Sequence, residues 1–118
     1  MELEQIKAIV AMMKDNDLSE TLAIHKAFGA HAARLPVSSS KSQLGHTMAA
    51  CGAIEGVLSV QAILSSTIPP TANLAEPDPQ CDLDYVSSGA RSGPVRHVVS
   101  NSFGFGGHSA SLVFGAVA

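Results

Sequence analysis

Lys41-Ser42-Gln43-Leu44-Gly45-His46 leads into Thr47-Met48-Ala49-Ala50-Cys51-Gly52-Ala53-Ile54-Glu55, the front of the longest apolar run in the chain. The run predicts one helix over residues 45–65. Glu55 and Gln61 interrupt it, and Gly52 and Gly56 lie within it. Each glycine costs a helix about 1 kcal/mol relative to alanine. Such a helix makes sense when small residues let another element approach closely. We therefore read it as a buried helix of a soluble protein and not as a membrane span. It needs cover on several faces, and the rest of the chain offers little. That points to a piece of a larger fold, or to a core completed by association.

Upstream, Leu3, Ile6, Ile9, Val10 and Met13 recur at helical spacing and predict a short amphipathic helix within residues 1–15. Its stripe is expected to cover apolar surface. Asp17 opens a second helix, with Glu20 three residues on in a capping-box pattern. Leu22, Ile24 and Phe28 supply its apolar contacts, and Gly29 is its stop. Leu35-Pro36-Val37-Ser38 reads as a short strand, followed by a polar loop through Ser42.

Downstream, Pro69 and Pro70 remove donors and fix φ, so residues 68–73 are extended. Pro77 and Pro79 mark a loop, and Asp84-Tyr85-Val86 a brief strand. Residues 96–100 and 109–114 read as two strands joined through Gly104–Gly107, an antiparallel pair.

Composition excludes several functions. Hydrophobic residues make up 46% of the 118, so the chain is not disordered by composition. Aromatic residues are 4% and Trp is absent, unlike the stacking platforms that hold single-stranded nucleic acid. The formal charge is −3 with no basic stripe, which argues against nucleic acid and acidic lipid as partners. Cys51 and Cys81 have no metal-binding spacing. Cys51 reads as a small core residue. Cys81 lies among turn residues and is expected to be more exposed; a disulfide between the two is allowed but not required. Met1-Glu2-Leu3-Glu4 is acidic where a secretory leader would be basic.

Chemistry-bearing residues cluster around the long helix. Lys41 and His46 flank its predicted start, where unpaired N–H groups favour a neutral imidazole. A neutral imidazole can donate one hydrogen bond to a developing oxyanion. Glu55 is the lone carboxylate on the helix and needs a cationic or hydrogen-bonding partner if buried; Lys41 is a candidate. Taken alone, these residues also fit a capped helix with a structural histidine. Asn101-Ser102-Phe103-Gly104-Phe105-Gly106-Gly107 permits unusual backbone angles and close approach to a ligand. A hairpin turn with a core aromatic is the plainer reading. The turn is not GxGxxG and no helix follows, which disfavours a dinucleotide.

Together, K-S-x-x-G-H, the Ala/Gly-rich run, P-P-T-x-N-L and N-S-F-G-F-G-G, in that order, resemble the C-terminal portion of the β-ketoacyl-carrier-protein synthases. The resemblance extends from about Asn16 to the C-terminus, giving two regions: residues 1–15 outside the family and residues 16–118 within it. It implies an α/β chain, a partial thiolase-like fold with a buried Ala/Gly-rich helix and a mixed sheet. The implied activity is that of an acyltransferase: decarboxylative condensation of acyl and malonyl thioesters in fatty acid or polyketide biosynthesis, in the cytoplasm. The resemblance implies no metal or organic cofactor, because substrates ride on the phosphopantetheine of acyl carrier protein. Partners would be that carrier protein and a second copy of the chain or a complementing synthase subunit.

By resemblance, His46 is one of two enolate-stabilising histidines, Lys41 supports it, and Glu55 is tied to Lys41. Phe105 would be a gate, with Gly104, Gly106 and Gly107 letting its loop move, and Asn101 and Ser102 would shape the site wall. The family's cysteine nucleophile and first catalytic histidine have no counterpart here, and neither Cys51 nor Cys81 replaces the nucleophile. His108-Ser109 stands where Thr-Asn is often found after the glycine pair; we read His108 as a turn residue. These departures imply that the chain alone is inactive, either a non-catalytic remnant or a module that complements another synthase subunit.

Overall fold

The computed structural model describes residues 8–11, 17–104 and 106–118. The elements, in order, are β1 (Ala8–Ala11), α1 (Asp17–Phe28), a 3-10 turn (Gly29–Arg34), β2 (Val37–Ser38), α2 (Lys41–Leu44), a 3-10 turn (Met48–Ala50), α3 (Cys51–Ser65), β3 (Thr67–Ile68), β4 (Arg91–Ser92), β5 (His97–Phe103) and β6 (Ser109–Gly115). Four strands form a mixed sheet in the order β2-β1-β5-β6. β1 runs parallel to both neighbours, Ile9 opposite Val37 and Val99. β5 and β6 pair antiparallel from His97 opposite Gly115 to Phe103 opposite Ser109, as the Gly104–Gly107 turn predicts. β3 and β4 form a separate antiparallel pair.

The N-terminal segment corrects one expectation. Residues 8–11 are an inner strand of the sheet, not part of an amphipathic helix. Ala-Ile-Val-Ala is a short apolar run, and such a run has no decisive period; the two flanking strands supply the hydrogen-bond partners that select extended backbone. The remainder of residues 1–15 lies outside the described residues, as does the Asp17 side chain expected to cap α1.

The long helix is the second correction. Residues 45–65 form a 3-10 turn and a 15-residue α-helix, with Gly45 at φ 77° and Met48 at φ 53° breaking the run before it. Only one stripe of α3 is buried: Cys51, Glu55, Ser59 and Ala62. That spacing places them on one face. Val57, Val60 and Leu64 are exposed. The stretch Met48–Ser65 is long and apolar enough to cross a membrane by length and composition, but its buried stripe carries a carboxylate and a serine and its α-helix packs on β5. Nor do its glycines mediate tight contact. A Cβ on Gly52 would lie 3.7 Å from Ser102 Oγ, and one on Gly56 3.5 Å from Phe114 Cζ, both ordinary packing distances.

One core joins Ile24, Ala32, Leu35, Val37, Cys81 and Tyr85; a second joins Ile68, Val86, Val95 and Val98. Cys81 is buried in the first core, because Leu83 and Tyr85 carry its loop inward; both cysteines are free. Leu22, expected to pack, faces solvent, while Thr21 turns inward to share a hydrogen bond with Tyr85 OH. Asp84 makes only an isolated parallel bridge to Pro36 rather than opening a strand.

Candidate active site

The polar loop before α2 is held by the proline segment. Ser38 Oγ donates to Pro69 O at 2.5 Å, Thr71 Oγ1 accepts from Ser39 N at 3.0 Å, and Ser42 Oγ accepts from Ala72 N at 2.8 Å. Gln43 Nε2 donates to Pro70 O at 3.1 Å. The two prolines cannot donate, so they meet this loop through their carbonyls, while Thr71 Oγ1 accepts and Ala72 N–H donates. The ties fix the base of α2, whose first residue is Lys41.

From there Lys41 meets Glu55 on α3. Nζ stands 3.9 Å from Oε1, with 11% of the Lys41 side chain and 2% of Glu55 exposed. Neither carboxylate oxygen of Glu55 has a hydrogen-bond partner among the described residues. Burial pushes the Glu55 carboxyl above its ordinary value, and the Lys41 ammonium opposes that rise. A cavity of about 10 Å³ lies here, lined by Ser40, Lys41, Thr47, Cys51, Ile54 and Glu55. That is space for one water at most, and a water between polar groups is the usual answer to a separation above 3.5 Å.

His46 lies in the connection from α2 to the 3-10 turn, with an exposed ring. It is not at the start of α3, which begins five residues later, so that helix end does not govern its proton. A single local bond does: Met48 N donates to His46 Nδ1 at 2.9 Å. A nitrogen that accepts an N–H carries no proton, so the neutral ring keeps its proton on Nε2. Met48 itself has left-handed backbone, φ 53°, a conformation that methionine in a sequence does not signal. Cys51 Sγ is 3.5 Å from the same Nδ1 and accepts from Thr47 Oγ1 at 3.3 Å. Met48 and Thr47 are the positioning residues that sequence reasoning missed.

The remaining candidates divide. Asn101 and Ser102 are strand residues of β5, not turn residues; Asn101 Oδ1 accepts from Ser111 Oγ at 2.7 Å, and Ser102 faces Gly52 at the front of α3. Gly104 N donates to His108 O at 2.7 Å, closing the hairpin. Gly106 and Gly107 take φ of 86° and 82°, where a side chain would be strained. His108 packs against Gly104 and Gly106 as a turn residue. Phe105 lies outside the described residues. The fold therefore joins Lys41, Glu55 and Cys51 at one cavity, links His46 to it through Cys51, and brings Ser102 against the same helix end. Among the described residues no group of three or more His, Cys, Asp or Glu is placed to hold a metal ion.

Comparison with known proteins shows the family. Residues 3–75 match the family model described as "Beta-ketoacyl synthase, C-terminal domain", so the match reaches into the segment that sequence reading set apart. The chain is 52% identical over 99 residues to 3-oxoacyl-[acyl-carrier-protein] synthase 2 of Synechocystis, covering 84% of the chain and 24% of that protein. It is 46% identical over 112 residues to an oxytetracycline polyketide putative β-ketoacyl synthase of Streptomyces rimosus, covering 95% and 26%. A type II polyketide ketosynthase solved with its acyl-carrier protein and bound to the hexaketide superposes with a TM-score of 0.94 at 35% identity, covering 100% of this chain and 30% of that one. A β-ketoacyl synthase from Burkholderia phymatum gives 0.90 at 37%, covering 100% and 29%. The chain thus spans about a quarter of the length of the curated relatives, and its α/β fold is part of the thiolase-like ketosynthase architecture. Its sequence, its sheet order and the residues around the Lys41–Glu55 cavity lead to one assignment: the chain belongs to the β-ketoacyl synthase family.

Proposed function

We propose that this chain supplies the enolate-stabilising part of a decarboxylative condensation site for fatty acid or polyketide biosynthesis. The observation that carries the reading is the bond from Met48 N to His46 Nδ1, which leaves an exposed ring with its proton on Nε2. That N–H is the donor an oxyanion needs. In the reaction, the bond from the malonyl α-carbon to its carboxylate breaks and carbon dioxide leaves. The electron pair passes into the enolate, whose oxygen accepts from His46 Nε2–H. The enolate carbon then attacks an acyl thioester, and thiolate departs. Lys41 lends positive charge beside this group, and Glu55 anchors Lys41. Asn101 and Ser102 form the wall, and the Gly104–Gly107 hairpin carries Phe105 as the gate. The malonyl group arrives on the phosphopantetheine of acyl carrier protein, in the cytoplasm, without a metal or organic cofactor of the chain's own.

The condensation half needs a cysteine that takes up the acyl group. Cys51 and Cys81 are both buried, so neither thiol is open to an incoming acyl group. The chain alone is therefore inactive in condensation. The test is malonyl-carrier-protein decarboxylation by the purified chain beside His46→Ala. Acetyl-carrier protein formed by the first and not the second supports the site; turnover equal in both, or absent in both, removes it from this chain alone.

A second reading is favoured by the uncovered apolar face of α3, with Val57 62% and Leu64 73% exposed. In it the chain completes another synthase subunit that bears the cysteine. Condensation restored only on mixing with such a subunit is its expected outcome.

A further inference from the structure

Cys51 is the first residue of α3 and 5% exposed. Its thiol nevertheless has two polar neighbours. Thr47 Oγ1 donates to Sγ at 3.3 Å, and Sγ lies 3.5 Å from His46 Nδ1. A thiol is one weak donor and one weak acceptor. With Thr47 supplying a hydrogen to the sulfur, the thiol hydrogen is left to point at Nδ1.

We propose that Cys51 is a positioning residue for His46, its S–H sharing the one Nδ1 lone pair with Met48 N–H in a three-centre bond and fixing the outward aim of Nε2–H. The inference rests on the reading of His46 above. Met48 N–H approaches Nδ1 from the His46 side of the chain, and the thiol approaches from α3, the rigid element. The backbone donor sets which nitrogen is bare. The thiol ties that nitrogen to the helix that also carries Glu55, so the imidazole and the Lys41–Glu55 pair share one frame. Hydrogen bonds in a chain polarise one another, so the Thr47 hydroxyl strengthens the weak thiol donor. Alanine or valine could fill the volume at position 51, but neither could donate.

The test is the ¹⁵N spectrum of the imidazole rings in the full chain labelled at histidine, with His46 assigned from His46→Ala. In the native chain His46 Nδ1 resonates as a hydrogen-bonded, imine-type nitrogen. Cys51→Ala and Cys51→Val shift it downfield, the direction of a lost donor, and Cys51→Ser returns it toward the native position. Thr47→Val, which keeps the thiol and removes its partner, gives a smaller shift in the same direction and carries the test if the core variants lose their native amide spectrum. An Nδ1 resonance unmoved by Cys51→Ala, or restored by valine as well as serine, overturns the proposal and leaves Cys51 as packing; so does an unmoved resonance in Thr47→Val when that variant alone folds. Because the readout is the ring nitrogen, it stands apart from decarboxylation, whose loss in His46→Ala tests the reading beneath it.

Discussion

Lys41 Nζ stands 3.9 Å from Glu55 Oε1, beyond hydrogen-bond reach, and both oxygens of this buried carboxylate lack a hydrogen-bond partner among the described residues. The pair is held by charge across a gap, which leaves Glu55 poorly compensated for the water it lost.

Glu55 should make stability fall as pH rises. Its carboxyl is raised above 4.5, chiefly by burial, so ionisation costs more in the folded chain than in the unfolded one. The associated stability is full below 4.5 and is lost as pH climbs through the raised value. Asp84, lowered from 3.8 by Arg91, acts in the opposite sense and loses its contribution only as pH falls below that value, so the two windows are separate. Urea midpoints measured upward from pH 4.5 should decline for the native chain and stay flatter in Glu55→Gln. Parallel profiles would remove Glu55 as the cause.

Removing residues 1–15 should abolish cooperative unfolding. β1 pairs with β2 on one side and with β5 on the other, so its loss divides the sheet. The unpaired strand edges would also promote aggregation. A truncated chain that keeps a sharp thermal transition would show that β1 is dispensable.

Ser66→Gly should stabilise the chain by about 1 kcal/mol. Ser66 ends α3 at φ 51°, the left-handed conformation in which a Cβ is costly, while its N–H reaches the carbonyls of Ala62 and Ile63. Glycine keeps that bond and removes the crowding. A lowered melting temperature would contradict this account.

Gly56→Ala should likewise stabilise, by up to about 1 kcal/mol from helix propensity. The added Cβ would meet Phe114 Cζ at 3.5 Å, an ordinary contact. Destabilisation by a similar amount would mean that α3 and β6 lie closer in solution than this geometry allows.

Val57→Lys with Leu64→Lys should raise the solubility of the chain and prevent it from completing another synthase subunit. Both residues lie on the open face of α3, so the replacements disturb no core contact. Complementation that survives both lysines would place the docking surface elsewhere.

Local signals in the sequence determined what depended on local physics. Asp17–Phe28 is a helix that stops at Gly29, which takes φ 55°, as its glycine suggests. The glycine pair at 106–107 closes the β5–β6 hairpin because two positive φ values suit few other residues. The ordered motifs from Lys41 to Gly107 marked the family, and the Lys41–Glu55 pairing followed from the cost of a lone carboxylate on an apolar run. Tertiary structure alone decided the rest. Ala8–Ala11 became a strand because β2 and β5 flank it, and no period within four apolar residues could announce that. The buried face of α3 was chosen by β5 from a helix that is apolar nearly all round. Which nitrogen of His46 is bare was decided by the backbone N–H of Met48, a bond of which the methionine side chain says nothing.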